Sequence, residues 1–582
     1  MPVTFLVNRN VQGLPQLAST ILGTAATNTY ATVADGAGNI YTCGNYTSTS
    51  FVNIINGVQG SAPSGTTCTL PVSGSTGSVA SAYLIKYNSS GSAQYSISVI
   101  TSSASGAYNV ILDPTGTFLY LVINYNNGTS TLAVTGPATN TSGTAGSASG
   151  WILPGQTNSG VNAIGIIKIL ASTGAIQWTA AIDSAGTVGS GSETDYGLAV
   201  DSVGNLYLSG TYSEPSAVGQ VFLYNAAASA GVSTISSYNL PALTSSSSIS
   251  ASFLVKFSSG GQAVFATPVL LNTIASSAST SFNCVVDPTN TYVYVVGSYT
   301  SQAGTMPIFQ VSGFTGAQAG SNALPISAGS AGTGSASAGF IIRYTTAGAY
   351  SACSTLGAAA SATTYLATGN CQYYGLAIAP NGNIYVGGSY ISTSSVTINN
   401  TSNTTPTTTV TVPIQTTTQG VAVLVKYTPA LVATYASVIN PAATASTLPV
   451  IYSVAVDSSD VNVFIALRYS STNAAGVNVS NYFTTGTPGT SAVNLPVTVS
   501  TFTAMSMVRY FLGNPLNQIT MQNTGTVGVP MSVTIDPSNT SLLMSTSYQN
   551  TAAMAVPNSN GTTAFSTVLT ATVQSGMFLK VS

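Results

Sequence analysis

The sequence predicts an all-β fold: a seven-bladed β-propeller with four-stranded blades and long β-arm insertions between the second and third strands. Three observations lead there. A hairpin pattern recurs seven times at fixed offsets, a second strand pattern follows each hairpin, and the composition suits strands while almost dispensing with charge.

The hairpin is anchored by the column Asp35, Asp113, Asp201, Asp287, Ala379, Asp457 and Asp536. Five residues before each anchor stands Tyr30, Tyr108, Tyr196, Phe282, Tyr374, Tyr452 or Met531, and eleven or twelve after it Tyr46, Tyr125, Tyr212, Tyr299, Tyr390, Tyr469 or Tyr548. An alternating run enters an Asp-x-x-Gly-Asn or Asp-Pro turn and a second alternating run leaves it. Asp, Pro, Gly and Asn each favour tight reversal, so the segment reads as strand, turn, strand.

The second column reads apolar, apolar, apolar, basic. It ends at Lys86, Lys168, Lys256, Arg343, Lys426, Arg509 and Lys580, with an eighth copy at Phe5–Asn8. Most copies precede a polar turn and another short strand, such as the run to Trp178. Four strands per unit, seven times, is the make-up of a propeller.

The anchors step by 78 to 92 residues, long for a plain blade of about 40–50. The surplus lies between the column Tyr and the column Lys or Arg, which are 32 to 44 residues apart. These insertions also repeat. They open on a short alternating strand such as Ser395–Asn399 or Gly476–Ser480, and six carry a later Pro at 71, 154, 241, 325, 413 or 496. They are expected to form ordered β-arms on the same side of every blade.

On these residues the unit resembles the seven-bladed β-propeller repeat (SBBP) family, whose hairpin and following Phe-Val-x-Lys are matched best by Asp201 to Tyr212 and Phe253 to Lys256. The copies at Asp457 and Asp536 depart from it by lacking the Gly-Asn turn. The resemblance implies the fold and little about activity; its members are commonly surface or secreted proteins.

Composition narrows the function classes. Only 3% of the 582 residues are charged, the net charge is -2, and there is no His. Ser and Thr exceed a quarter of the chain, but 31 Tyr and 17 Phe distinguish it from a disordered polar tract. Nucleic acid, held through clustered Lys and Arg, is not an expected partner. No apolar run reaches the roughly 18 residues of a membrane-spanning helix, so no membrane insertion is expected. The segment Met1–Val7 lacks the basic start and apolar stretch of a secretory signal. Cys43 with Cys68, and Cys353 with Cys371, are near enough in sequence to bridge, whereas Cys284 reads as a buried free thiol. Sequons such as those at Asn45, Asn127 and Asn400 arise readily in so much Ser and Thr and leave glycosylation open.

Thirteen of the twenty charged residues sit in the two columns. Their structural role would be for each Asp to pair with a basic residue or to cap a turn; their functional role would be a ring of ligand sites. Ala379 opposite Lys426 breaks the pairing in blade five, so some Lys must have other partners. The remaining acids are Asp183, Glu193, Asp195, Glu214 and Asp460. The first four form a local concentration whose oxygens would suit Ca²⁺, set against a plain solvated loop. No other cofactor is expected. Without His there is no ordinary Ser-His-Asp or Cys-His centre, and no Gly-rich segment ends in the Gly-Lys-Ser/Thr of a phosphate loop.

The functional expectation is therefore a non-catalytic structural subunit that self-associates as a homo-oligomer or polymer, outside the cell, on its surface or on a virion. A glycan-binding surface adhesin or lectin is the alternative. Residues 1–23 should close the last blade and residues 24–582 form the rest of one propeller domain. The closing strand is expected near 16–21, which leaves Val3–Asn8 as a surplus strand.

Overall fold

A computed structural model describes residues 15–581 apart from 23–25, 58–64, 75–78, 140, 157–161, 185–186, 189–195, 214–220, 242–249, 272–277, 301–305, 312–322, 325, 329–336, 359–363, 367–369, 392–395, 403–404, 413–419, 442–446, 471–476, 485–492, 497–503, 523–531, 538–540, 551–554, 558–562 and 567–570. Val3–Asn8, Met531, Pro325 and Pro413 lie outside the described residues.

The repeat folds as the columns dictate. Blade 1 is built from Thr27–Ala34, Ile40–Tyr46, Ser81–Tyr87 and Ala93–Val99, antiparallel and in that order. Six further blades follow, whose innermost strands are Ala104–Leu112, Gly197–Val200, Ala278–Val286, Cys371–Ile378, Thr447–Val456 and Ser532–Ile535. The chain is a seven-bladed β-propeller, and the described residues contain no α-helix. In blade 7 the fourth strand is Pro15–Leu22, which pairs with Ala571–Val581 through Ala18↔Leu579 and Thr20↔Met577, so both ends of the chain share one sheet.

Apolar side chains lie between sheets rather than at one centre. In the second strand of blade 2, Leu119, Leu121, Ile123 and Tyr125 face blade 1, while Tyr120 and Val122 face blade 3. Both faces are covered, so these strands read as nearly continuous apolar runs. Along the rim Tyr46, Tyr125, Tyr212, Tyr299, Tyr390 and Tyr469 are fully buried, and in three blades the hydroxyl explains the recurring Pro of the insertion. Tyr125 donates to the carbonyl of Pro154 at 2.9 Å, Tyr212 to that of Pro241 at 3.1 Å, and Tyr469 to that of Pro496 at 2.9 Å.

The insertions form hairpins, and each leans on the outer strand of the preceding blade. Val52–Ile55 with Thr66–Leu70 adds to Pro15–Leu22, and Val221–Asn225 with Thr234–Leu240 adds to Ile176–Ser184. Val396–Ser402 with Thr405–Val412 adds to Tyr350–Ala358, and Val477–Val479 with Asn494–Leu495 to Ala433–Pro441. These four sheets thereby grow to six strands. Two other hairpins reach the preceding outer strand through single bridges, Ser96↔Ala138 and Leu270↔Ile308, and the last packs beside Asn514–Gln522. In each six-stranded sheet the first strand of the hairpin is thus paired on both sides and the second forms the edge.

Candidate functional site

The Asp column closes turns. Asp35 Oδ1 accepts the amides of Ala37 and Asn39, both at 2.9 Å, and Oδ2 accepts Asn39 Nδ2 at 2.7 Å and the Tyr41 hydroxyl at 3.0 Å. Asp201 repeats the set with Val203, Asn205 and Tyr207. In the Asp-Pro turns the carboxylates of Asp113 and Asp287 accept the amides of Phe118 and Tyr292. Asp457 takes those of Val461 and Asn462, and Asp536 that of Ser541. A carboxylate that caps a turn in this way stabilises it by about 1.5–3 kcal/mol.

The basic column does something else, which corrects the expected Asp–Lys pairing. Lys86, Lys168 and Lys256 reach past their own Asp to the next blade, where the turn between third and fourth strands presents carbonyls. Lys86 donates to Ala171 at 3.1 Å and Ser172 at 3.2 Å, Lys168 to Ser259 at 2.9 Å, and Lys256 to Thr346 at 3.0 Å. Arg343 donates to Pro429 in the same way. Each cation also lies over an aromatic of the neighbouring strand, with Lys256 Nζ 4.9 Å from the Tyr207 ring and Arg343 4.3 Å from that of Tyr292. Burial lowers the pKa of Lys86, Lys168 and Lys256, and Asp35, Asp113 and Asp201 pull the other way. Further round, Arg509 Nε donates to Asn462 at 2.8 Å, and Lys580 stands opposite Leu543. From Lys86 to Arg343 the column latches each blade to the next, whereas the Arg509 bond stays within its own blade.

Blade 5 is the exception. Ala379 has no carboxylate, and the donors that would have met one, Asn383 Nδ2 and the Tyr385 hydroxyl, turn to Asp460 of blade 6 at 2.7 Å each. Asn381 joins them at 2.8 Å, and Lys426 forms an ion pair with the same carboxylate at 3.2 Å. Burial would raise the pKa of Asp460, but these hydrogen bonds and the Lys426 charge outweigh it and hold it below the usual 3.8. The missing acid is supplied by the next blade, from a residue whose sequence position gave no such hint.

At the axis the first aromatic column forms a ring. In five blades the strand register slips at Tyr30, Tyr108, Phe282, Tyr374 or Tyr452, so the aromatic is the extra residue of a β-bulge. A bulge re-aims the side chain, here into a central cavity of about 300 Å³. Neighbouring rings pack on one another: Tyr30 and Tyr108 are nearly parallel with centroids 5.1 Å apart, and Phe282 and Tyr374 lie 4.5 Å apart. Arg468, outside the basic column, stands over Tyr452 at 5.4 Å.

Of the expected acidic concentration, Asp183 is fully buried on the outer strand of blade 2 opposite Phe222, while Glu193, Asp195 and Glu214 lie outside the described residues. Among the described residues no three Cys, Asp or Glu side chains converge as metal ligands. The five cysteines are all buried and unbridged, so neither Cys43–Cys68 nor Cys353–Cys371 is formed.

No protein-family model matches the chain, and no curated protein does. Among solved structures it aligns with a Dos1 propeller at 8% identity, covering 98% of this chain and 96% of that one with a TM-score of 0.33. It also aligns with a leech intramolecular trans-sialidase in complex with 2,7-anhydro-Neu5Ac, at 8% identity, 98% and 94% coverage and a TM-score of 0.26. At these values neither neighbour informs the reading of the site.

Proposed function

We propose that the chain is a non-catalytic structural subunit, of the SBBP-like kind, that associates with copies of itself into a filament, fibre or layer outside the cell or on a virion surface. The observation that carries this reading is an uncharged rim. Strand Thr234–Leu240 closes a six-stranded sheet, holds no charged residue, and presents Ile235 at 61% and Tyr238 at 38% exposure. Proteins usually protect such an edge with charged side chains, Pro or a bulge; this strand has only a bulge, where its register shifts between Ile235 and Asn239. Here the column charges are engaged in turns and latches, and a net charge of -2 offers little repulsion between copies. The same engagement argues against catalysis, because a carboxylate tied to backbone amides is a poor general acid.

Sedimentation velocity and electron micrographs of the purified chain test the proposal. Ordered assemblies are expected, and Ile235→Lys should reduce them while the far-ultraviolet circular dichroism stays unchanged. A monodisperse monomer across the accessible concentration range would overturn the reading.

A further inference from the structure

The seam between blades 5 and 6 differs from the other seams in shape as well as in charge. In blades 1 to 5 the third and fourth strands are joined by four or five residues, and in blades 2 to 5 this turn supplies the carbonyl that receives the latch. In blade 6 only Leu512 and Gly513 join them, with φ of 48° and 82°, the left-handed pair of a tight hairpin turn. The shortened turn withdraws from the seam and opens a cavity of about 350 Å³.

The walls of that cavity are chemically specific. Tyr385, Lys426, Tyr435, Asp460, Tyr482 and Asn514 line it. The Tyr435 and Tyr482 rings are inclined by only 22°, with centroids 6.1 Å apart, and Tyr435 is 45% exposed. Tyr482 is fixed by its amide bonding to the Gly513 carbonyl at 2.9 Å and by packing on Tyr510. Its hydroxyl is nonetheless buried and meets no protein hydrogen-bond partner. Buried hydroxyls are normally satisfied.

The donor and acceptor inventory selects the ligand. The Asp460 carboxylate is filled by Asn381, Asn383, Tyr385 and Lys426, so it is not left to hold a cation or abstract a proton. Lys426 is already neutralised by it, which removes the attraction for an anion, yet two of its three N–H groups remain to donate. A flat aromatic surface beside hydroxyl, ammonium and amide groups, with no net charge, matches a ring that has one C–H face and a rim of hydroxyls. We propose that this cavity binds a neutral sugar ring, its C–H face on Tyr435 and its hydroxyls on Lys426 and Asn514. The size sits at the small end of ligand sites, which suits one or two rings. This reading is independent of self-association.

The test is saturation-transfer NMR on the full chain with the methyl glycosides of glucose, galactose, mannose and N-acetylglucosamine, and with glucuronate. At least one neutral glycoside should bind with a dissociation constant on the order of 1 mM, and tighter than glucuronate. Tyr435→Ala, at an exposed position, should weaken it roughly tenfold. Lys426→Met leaves Asp460 three neutral donors and so should fold, with binding reduced to a similar degree. Preference for glucuronate, equal binding by Tyr435→Ala, or no binding by any of the four neutral glycosides would overturn the proposal.

Discussion

The seams of blades 1 to 4 and the seam between blades 5 and 6 solve the same problem with different parts. In the first group each carboxylate stays in its own turn and each cation donates to a backbone carbonyl of the next blade. At the 5/6 seam one carboxylate, Asp460, does both jobs from the far side: it satisfies the Asn and Tyr of blade 5 and receives Lys426. The difference teaches that the two charged columns are separate devices. In blades 1 to 4 they occur together because a turn must be capped and a seam must be latched, and in blade 5, where the cap is lost, they meet on one residue.

The largest effect is expected where the devices merge. Asp460→Ala removes the partner of Lys426 and of three neutral donors in a half-buried seam, and should destabilise the propeller by about 3–4 kcal/mol in urea unfolding. Asp201→Ala strands only the donors of one turn and should lose about 2–3 kcal/mol. Lys256→Met should lose about 1 kcal/mol or less, because the Tyr207 hydroxyl, 3.3 Å from the Thr346 carbonyl and 3.4 Å from Asp201, shares its one proton between them and can turn it to the carbonyl. A loss from Lys256→Met as large as that from Asp201→Ala would show that the columns are paired after all.

Acid distinguishes the seams more gently. Asp460 and Asp457 both have folded pKa values depressed below 3.8, so the stability they contribute is present above that value and fades as pH falls through the depressed ones. Stability measured between pH 5 and 2 should therefore decline, and Asp460→Asn should flatten part of the decline. An unchanged slope in that variant would remove the ion pair from the account.

Much of this architecture is legible in the sequence because the repeat is local. The turn Asp, its Gly-Asn and the flanking Tyr residues lie within one hairpin, and Phe253 to Lys256 marks the third strand from its own four residues. Even the Pro of the insertions is readable as a recurrence, although its bond to the column Tyr appears only in three dimensions. The partners of the cations are another matter. Lys86 meets Ala171 and Lys256 meets Thr346, some 85 to 90 residues away in the next blade, and no local pattern points to a backbone carbonyl. The bulge at Tyr30 or Tyr108 is equally hidden, since an extra residue in a strand is defined by its neighbour's register. Ala379 announces a gap in its column, and Asp460, three residues past the anchor of blade 6, was present as an unassigned acid. The link between them needs the seam.

That link gives the most direct measurement. Ala379→Asp alone places two carboxylates on one set of donors, Asn383 and Tyr385, and should destabilise. Combined with Asp460→Ala, it rebuilds the turn cap that the other blades possess. The double variant should recover at least half of the about 3–4 kcal/mol lost by Asp460→Ala in urea unfolding. Losses that simply add, leaving the double variant less stable than either single one, would contradict it.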